Sequence, residues 1–245
     1  MTTEYGDAVQ RIAVPAYFYA TWMQNNPDAE WERMQTDAPY VKYAVLNPAS
    51  SPGTTKSAEW ATQVKRAQAA GIKIVGYVTT SYTNKTKTAI MAEVVKYINW
   101  YKVDGIFFDE VSSEKSKQPF YVDLRNRIGD LNNGSSGANT VILNCGTIPD
   151  ESYMLAGDAI STFEGSEADY ASHTPAPWQI NYPSSRFWHI VYGVTHLDDV
   201  LALTRRRRAG LIYLTPDALG EDYNPYNTLP PEDFWDTVLT HVRQG

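Results

Sequence analysis

The 245-residue sequence contains one cysteine, so no disulfide can close within the chain. That residue, Cys145, lies in the apolar run VILNC, where a buried small hydrophobe is expected rather than a nucleophile. No apolar run approaches the roughly 20 residues of a membrane span. Basic excess is missing too: 21 Lys and Arg face 28 Asp and Glu, a net charge of −7, which argues against a nucleic-acid partner. The opening MTTEYGDAVQ has no basic-then-apolar leader pattern, which leaves a cytoplasmic protein or one whose leader has been removed. Among motifs, there is no glycine-rich phosphate loop after a strand, no GxSxG elbow and no metal-ligand spacing among His173, His189, His196 and His241. GSSG (134–137) precedes a strand and reads as a turn. Neither a metal nor a cofactor is called for.

What is present is apolar and aromatic. Apolar residues make up 43% and aromatics 13%, with 17 Tyr and 7 Trp, enough for a sizeable core and for rings that stack on sugar faces. Eight short β-rich runs recur: RIAVPAYFY (11–19), YVKYAVLNP (40–48), GIKIVGYVTT (71–80), VDGIFFDE (103–110), TVILNCG (140–146), AISTFEG (159–165), RFWHIVYG (186–193) and GLIYLTPD (210–217). Near-continuous apolar runs suit parallel strands buried on both faces. Helical patterns over 57–70, 86–102, 119–131, 196–208 and 231–244 fall between them, with shorter or irregular stretches after the first, fifth and sixth runs. Ser57 is placed to cap the first of these and Gly71 to end it. Eight strand–helix units of about 30 residues predict a single (β/α)8 barrel, a TIM barrel of class α/β spanning 1–245. An open doubly wound sheet is the alternative, disfavoured by the absent phosphate loop. The run Arg205–Arg208 reads as a solvated last helical turn that complements the helix dipole. NKT (84–86) and NGS (133–135) fit the glycosylation sequon, relevant only in a secreted eukaryotic setting.

In such barrels the active site forms at the C-terminal strand ends. Those ends offer Tyr17, Tyr19, Asn47, Tyr77, Asp109, Glu110, Asn144, Glu164, Tyr192 and Asp217, together with Thr79 and Thr215. Carboxylates can run acid–base chemistry while amides and hydroxyls satisfy sugar hydroxyls, so the set reads as a carbohydrate groove. Asp109 and Glu110 close GIFFDE; the plain reading is a helix cap or a salt-bridged loop. Glu164 ends AISTFEG two strands later, and carboxylates on two non-adjacent strands are what glycoside hydrolysis needs. For each tyrosine, ordinary core packing competes with ring stacking on substrate.

Several tracts resemble a known family. VPAYFYATW, AVLNPASSPG, GYVTTSY, INWYKVDGIFFDE, TFEG and NPYNTLP, running from about residue 12 to 236, are similar to the spherulin-4-like cell-surface proteins and to the glycoside hydrolases of family 135. The resemblance implies a (β/α)8 barrel and a retaining, endo-acting hydrolase of α-1,4-linked galactosaminogalactan, cleaving at N-acetylgalactosamine. It implies polysaccharide as the partner and a site of action at the cell surface or outside the cell; a monomer is expected. By motif it assigns Asp109 as nucleophile, Glu164 as acid/base and Glu110 as a third acid in the groove. Tyr17, Tyr19, Asn47, Tyr77, Asn144, Tyr192 and Asp217 are then expected to bind substrate. A carbohydrate-binding wall protein that kept the fold without turnover is the competing reading.

Overall fold

The computed structural model describes residues 9–20, 29–132, 137–220 and 223–244. The NGS sequon and all but the last residue of GSSG lie outside the described residues, as does most of the opening MTTEYGDAVQ.

Eight strands form where the apolar runs predict them: β1 (Arg11–Val14), β2 (Val41–Leu46), β3 (Lys73–Thr79), β4 (Gly105–Asp109), β5 (Thr140–Asn144), β6 (Ala159–Ser166), β7 (Phe187–Tyr192) and β8 (Leu211–Leu214). They pair in sequence order, all parallel, and β8 returns to β1 to close a barrel. Continuous burial explains the continuous apolar runs: side chains inside the barrel pack on one another, and those outside pack under helices. Phe107 and Trp188, ring centroids 5.6 Å apart, are among the wholly buried rings of this core. Each fully buried Val, Ile or Phe contributes about 1.5–3 kcal/mol.

Among the described residues seven α-helices surround the strands: α1 (Ala29–Thr36), α2 (Ala58–Ala70), α3 (Lys87–Lys96), α4 (Gln118–Asn132), α5 (Glu167–Ser172), α6 (Leu197–Arg206) and α7 (Glu232–Arg243). α2 begins as its sequence dictates, with Ser57 Oγ accepting from Trp60 N–H at 3.2 Å, and it ends at Gly71 with φ of 101°. A short 3-10 turn, Glu151–Leu155, stands between β5 and β6 in place of an α-helix. The helix expected over 86–102 stops at Lys96 and continues as a π turn, Tyr97–Tyr101. Within that turn the Tyr97 ring lies so close to Gly76 of β3 that a Cβ there would sit 2.5 Å from it.

The Arg205–Arg208 run is only half a solvated face: Arg205 and Arg206 are exposed, whereas Arg207 and Arg208 turn inward. Arg207 is buried, its guanidinium 4.6 Å from the Tyr170 ring centroid, and it donates to the carbonyls of Tyr170 and Ala171. Arg208 donates to Tyr182 O at 2.9 Å, and Arg205 to His241 O at 2.7 Å. Orphan carbonyls around α5 and α7 recruit these cations, an attraction that helical periodicity alone does not reveal. Nor are the histidines all apart, since His173 and His189 pack edge to face at 5.0 Å.

Candidate active site

β4, β5 and β6 carry Asp109, Asn144 and Glu164 to the C-terminal mouth of the barrel. The Asn144 side-chain nitrogen donates one hydrogen to Asp109 Oδ1 at 2.8 Å and the other to Glu164 Oε2 at 2.7 Å. Two oxygens held by one nitrogen can be no farther apart than the two bonds laid end to end, 5.5 Å. A trigonal nitrogen opens the bonds by about 120°, which places the oxygens about 4.8 Å apart. Asn144 is itself locked, because its Oδ1 accepts from Gly146 N–H at 3.1 Å. Gly146, at φ of 61°, turns the chain back so that its carbonyl accepts from Glu164 N–H at 2.9 Å.

The remaining carboxylate oxygens are taken by tyrosines. Tyr77 OH donates to Asp109 Oδ2 at 2.8 Å, and Tyr226 OH to Glu164 Oε1 at 2.6 Å. Tyr17 stands between these phenols, edge-on to each ring at 5.6 Å. Burial pushes both carboxyls above their ordinary pKa. For Asp109 the hydrogen bonds from Tyr77, from its neighbour's backbone N–H and from Asn144 pull the other way, while the Glu110 charge adds to the rise. For Glu164 the bonds from Tyr226 and Asn144 oppose burial, and the Asp109 charge adds to it. Burial also raises Tyr17, Tyr77 and Tyr226, so all three phenols stay protonated, Tyr77 and Tyr226 as donors to the acids.

Glu110 is aimed elsewhere. It adopts φ of 51°, and its Oε2 accepts from the hydroxyls of Thr79 and, at 3.3 Å, Ser81. The loop that meets it is strained: Ser81, Tyr82 and Thr83 all have positive φ, at 46°, 53° and 78°. Tyr82 N–H donates to Glu110 O at 2.8 Å, and Thr80 Oγ donates to the same carbonyl at 2.8 Å. The arrangement leaves the Tyr82 ring 58% exposed beside the three acids.

Beside this cluster lies a cavity of about 220 Å³, lined by Tyr17, Tyr19, Asn47, Trp60, Asn224 and Asn227 among others, with no charged side chain among the described residues. The side-chain oxygen of Asn47 is buried there without a protein partner. Tyr19 is exposed, whereas Tyr192 is half-buried close enough to Glu164 and Asp169 to feel both charges. Tyr77 is largely buried, with its hydroxyl supporting Asp109. Asp217 lies three residues beyond the end of β8 and braces its loop through Thr228 Oγ at 3.4 Å and, by its carbonyl, Gly193 N–H at 2.7 Å. Cys145 is half-buried rather than sealed in, and burial raises its thiol. The strand-end reading missed Tyr226, Tyr82 and Ser81; the first of these lay within NPYNTLP, a tract already singled out. Among the described residues no three His, Cys, Asp or Glu side chains converge as a metal site, and no helix is long and apolar enough to cross a membrane.

The sequence profile of Spherulation-specific family 4 matches residues 11–242. The chain belongs to this family. As a member of spherulation-specific family 4 it is 30% identical over 234 residues to Spherulin-4 of Physarum polycephalum, the match covering 89% of this chain. It spans 66% of that relative's length, just under two thirds. Aspergillus clavatus Sph3, crystallised in complex with GalNAc, superposes with a TM-score of 0.73 at 21% identity, covering 95% of this chain and 97% of that one. A chitinase from Ipomoea carnea gives 0.55 at 12% identity, covering 95% and 100%. These likenesses show the same closed (β/α)8 barrel for this family member.

Proposed function

We propose that the protein is an endo-acting glycoside hydrolase that cleaves an α-1,4-linked, N-acetylgalactosamine-containing exopolysaccharide with retention of configuration. One observation carries this reading: Asp109 and Glu164 face each other across a single amide nitrogen, closer than 5.5 Å between nearest oxygens. Retaining enzymes hold their carboxyl groups about 5–5.5 Å apart, whereas inverting enzymes leave about 6.5–9.5 Å for a water. The acetamido group of an α-linked 2-acetamido galactoside lies cis to the leaving group and cannot attack from the opposite face. The nucleophile is therefore either a protein carboxylate or water, and retention requires the carboxylate.

Asp109 accepts three donors, which favour its ionised form, and attacks the anomeric carbon. Glu164, buried beside that negative charge and given two donors, holds the proton that the leaving oxygen takes, then activates the water that releases the sugar. Glu110 is set to receive a sugar hydroxyl or amide at the edge of the cleft. The uncharged cavity between Tyr19 and Asn47 offers a neutral pyranose a ring face and amide partners. The GalNAc held by Sph3 supports an aminosugar substrate, and a polysaccharide substrate of this kind puts the site of action outside the cell or at its surface.

Reducing-end release and product masses after digestion of a galactosamine-containing exopolysaccharide test the proposal. Asp109→Asn should abolish turnover of every substrate. Glu164→Gln should fail on polysaccharide yet glycosylate itself from a substrate with an acidic phenol, and azide should then speed its deglycosylation. The opposite pattern would swap the two roles. Binding without any release by the unaltered protein would support a wall protein that no longer turns over.

A further inference from the structure

At the other end of the barrel, the first residues of three neighbouring strands bring three cations together. Arg11 opens β1, Lys42 is the second residue of β2 and Lys73 opens β3. They line a cavity of about 310 Å³ whose other walls come from Val41, from the chain after α1 at Ala38 and Pro39, and from the end of α2 at Ala70 and Gly71. Among the described residues no carboxylate lines it, and Arg11 donates only to the neighbouring Gln10 carbonyl, at 3.1 Å. None of the three cations forms an ion pair among the described residues, in a chain that carries net charge −7. Asp37, at the end of α1, is already taken by Trp235 Nε1 at 2.8 Å and by Arg243 at 3.6 Å.

Two helix C-termini point here, and each presents about half a negative charge. Between them they offset about one of the three positive charges, leaving about two. Lys42 is the least free of the three, half-buried with its ammonium 5.1 Å from the centroid of the Tyr43 ring. Burial, then the Lys73 and Arg11 charges, lower its pKa, so the folded protein bears a repulsion that a bound anion would relieve. A fold under selection for stability alone would place an acid or an apolar side chain at one of these strand starts.

We infer that this cavity is a binding site for a dianionic oxyanion, a phosphate or sulfate group held by Arg11, Lys42 and Lys73. Its volume leaves room for the group to be free or borne on a single sugar. The site is separate from the carboxylate cluster, so it stands or falls independently of the hydrolase reading.

Titration calorimetry of the full chain with inorganic phosphate and with a hexose 6-phosphate, against sodium chloride at matched ionic strength, tests the inference. Saturable one-to-one binding of either, weakened at least tenfold in Lys42→Gln/Lys73→Gln, is expected. Saturation by inorganic phosphate identifies the free oxyanion as the ligand, and saturation by the sugar phosphate alone identifies the sugar-borne group. Without phosphate, Lys42→Met should melt no lower than the unaltered protein, because it removes a repelled charge; a merely structural lysine would melt lower. Arg11→Gln serves as the second binding variant should the double substitution not fold. No saturation beyond the chloride control, or equal affinity in the variants, would overturn the site.

Discussion

Asn144 determines how far apart the two acids stand and how readily they ionise. Its two hydrogens go one to each carboxyl, and Gly146 holds its oxygen, so it has no freedom to serve substrate as well. Asn144→Ala should therefore cost about 10²-fold in kcat, the penalty of small misplacement at a reacting centre. Both carboxyls also lose a donor that favours their charged forms, so their pKa values rise. The acid limb of the pH–rate profile, which reports ionisation of Asp109, should then move to higher pH. A residue that merely packed would lower the rate without moving the limb. The same electrostatics predict a stability gain on removing an acid. The folded-state pKa of Glu164 lies above its unfolded value, so at neutral pH the ionised form is what folding disfavours. Glu164→Gln should raise the melting temperature at pH 7, and the gain should shrink as pH falls toward the unfolded carboxyl range, where both forms are neutral. Thermal melts across pH 4–8 would show it.

Among the elements, β6, β7 and α5 share a layer in which two histidines are kept neutral. His189 Nδ1 meets Tyr170 OH at 2.8 Å, its Nε2 meets Thr162 Oγ at 3.1 Å, and His173 stacks on Tyr170 at 5.9 Å. Burial, then the Arg207 charge, pulls His173 down to about 4, and burial, then the His173 and Arg207 charges, holds His189 well below its ordinary value. Each histidine binds a proton more readily unfolded than folded, so stability rises with pH between the two values. Melting temperature should fall as pH drops from about 6.5 to 4, and His173→Phe, which keeps a ring on Tyr170, should flatten that slope. This layer was hidden in the sequence because contacts between residues 163, 170, 173, 189 and 207 follow no helix or strand period. The same limit explains Arg205–Arg208, whose helical spacing gave a solvated face while three of the four arginines reach carbonyls on other elements. Close approach is equally invisible: Gly76→Ala should cost about 1–3 kcal/mol by driving a methyl into the Tyr97 ring, measurable by urea denaturation.

For the whole molecule, strand count, order and the acid-bearing mouth were legible because parallel burial leaves continuous apolar runs and barrel geometry gathers their C-terminal ends. Asp109, Asn144 and Glu164 needed nothing beyond that rule. Tyr226 did, since it reaches Glu164 from 62 positions away through an irregular loop. Run lengths overshot the strands because burial outlasts pairing: β1 stops at Val14, yet Ala16 and Phe18 remain buried beyond it. Closure itself depends on those short ends. The final seam pairs only Arg11 with Leu211 and Ile12 with Ile212, whereas β3 and β4 are matched from Val75 and Gly105 to Thr79 and Asp109. Gln10 reinforces the seam from just outside β1: its buried amide donates to Thr204 Oγ at 3.1 Å and to Ala209 O at 2.6 Å, beside the Arg11 N–H to Gly210 O bond of 3.0 Å. Gln10→Ala removes both donors and leaves a buried carbonyl unpaired, which should cost about 2 kcal/mol. Because the loss falls on the weakest junction of a closed sheet, it should lower the cost of opening there more than elsewhere. Native-state hydrogen exchange should show the Arg11 amide exchanging faster in the variant while the Phe107 amide in β4 follows global unfolding. Equal acceleration at both positions would mean that the barrel opens only as a whole and that β1–β8 is no weaker than the rest.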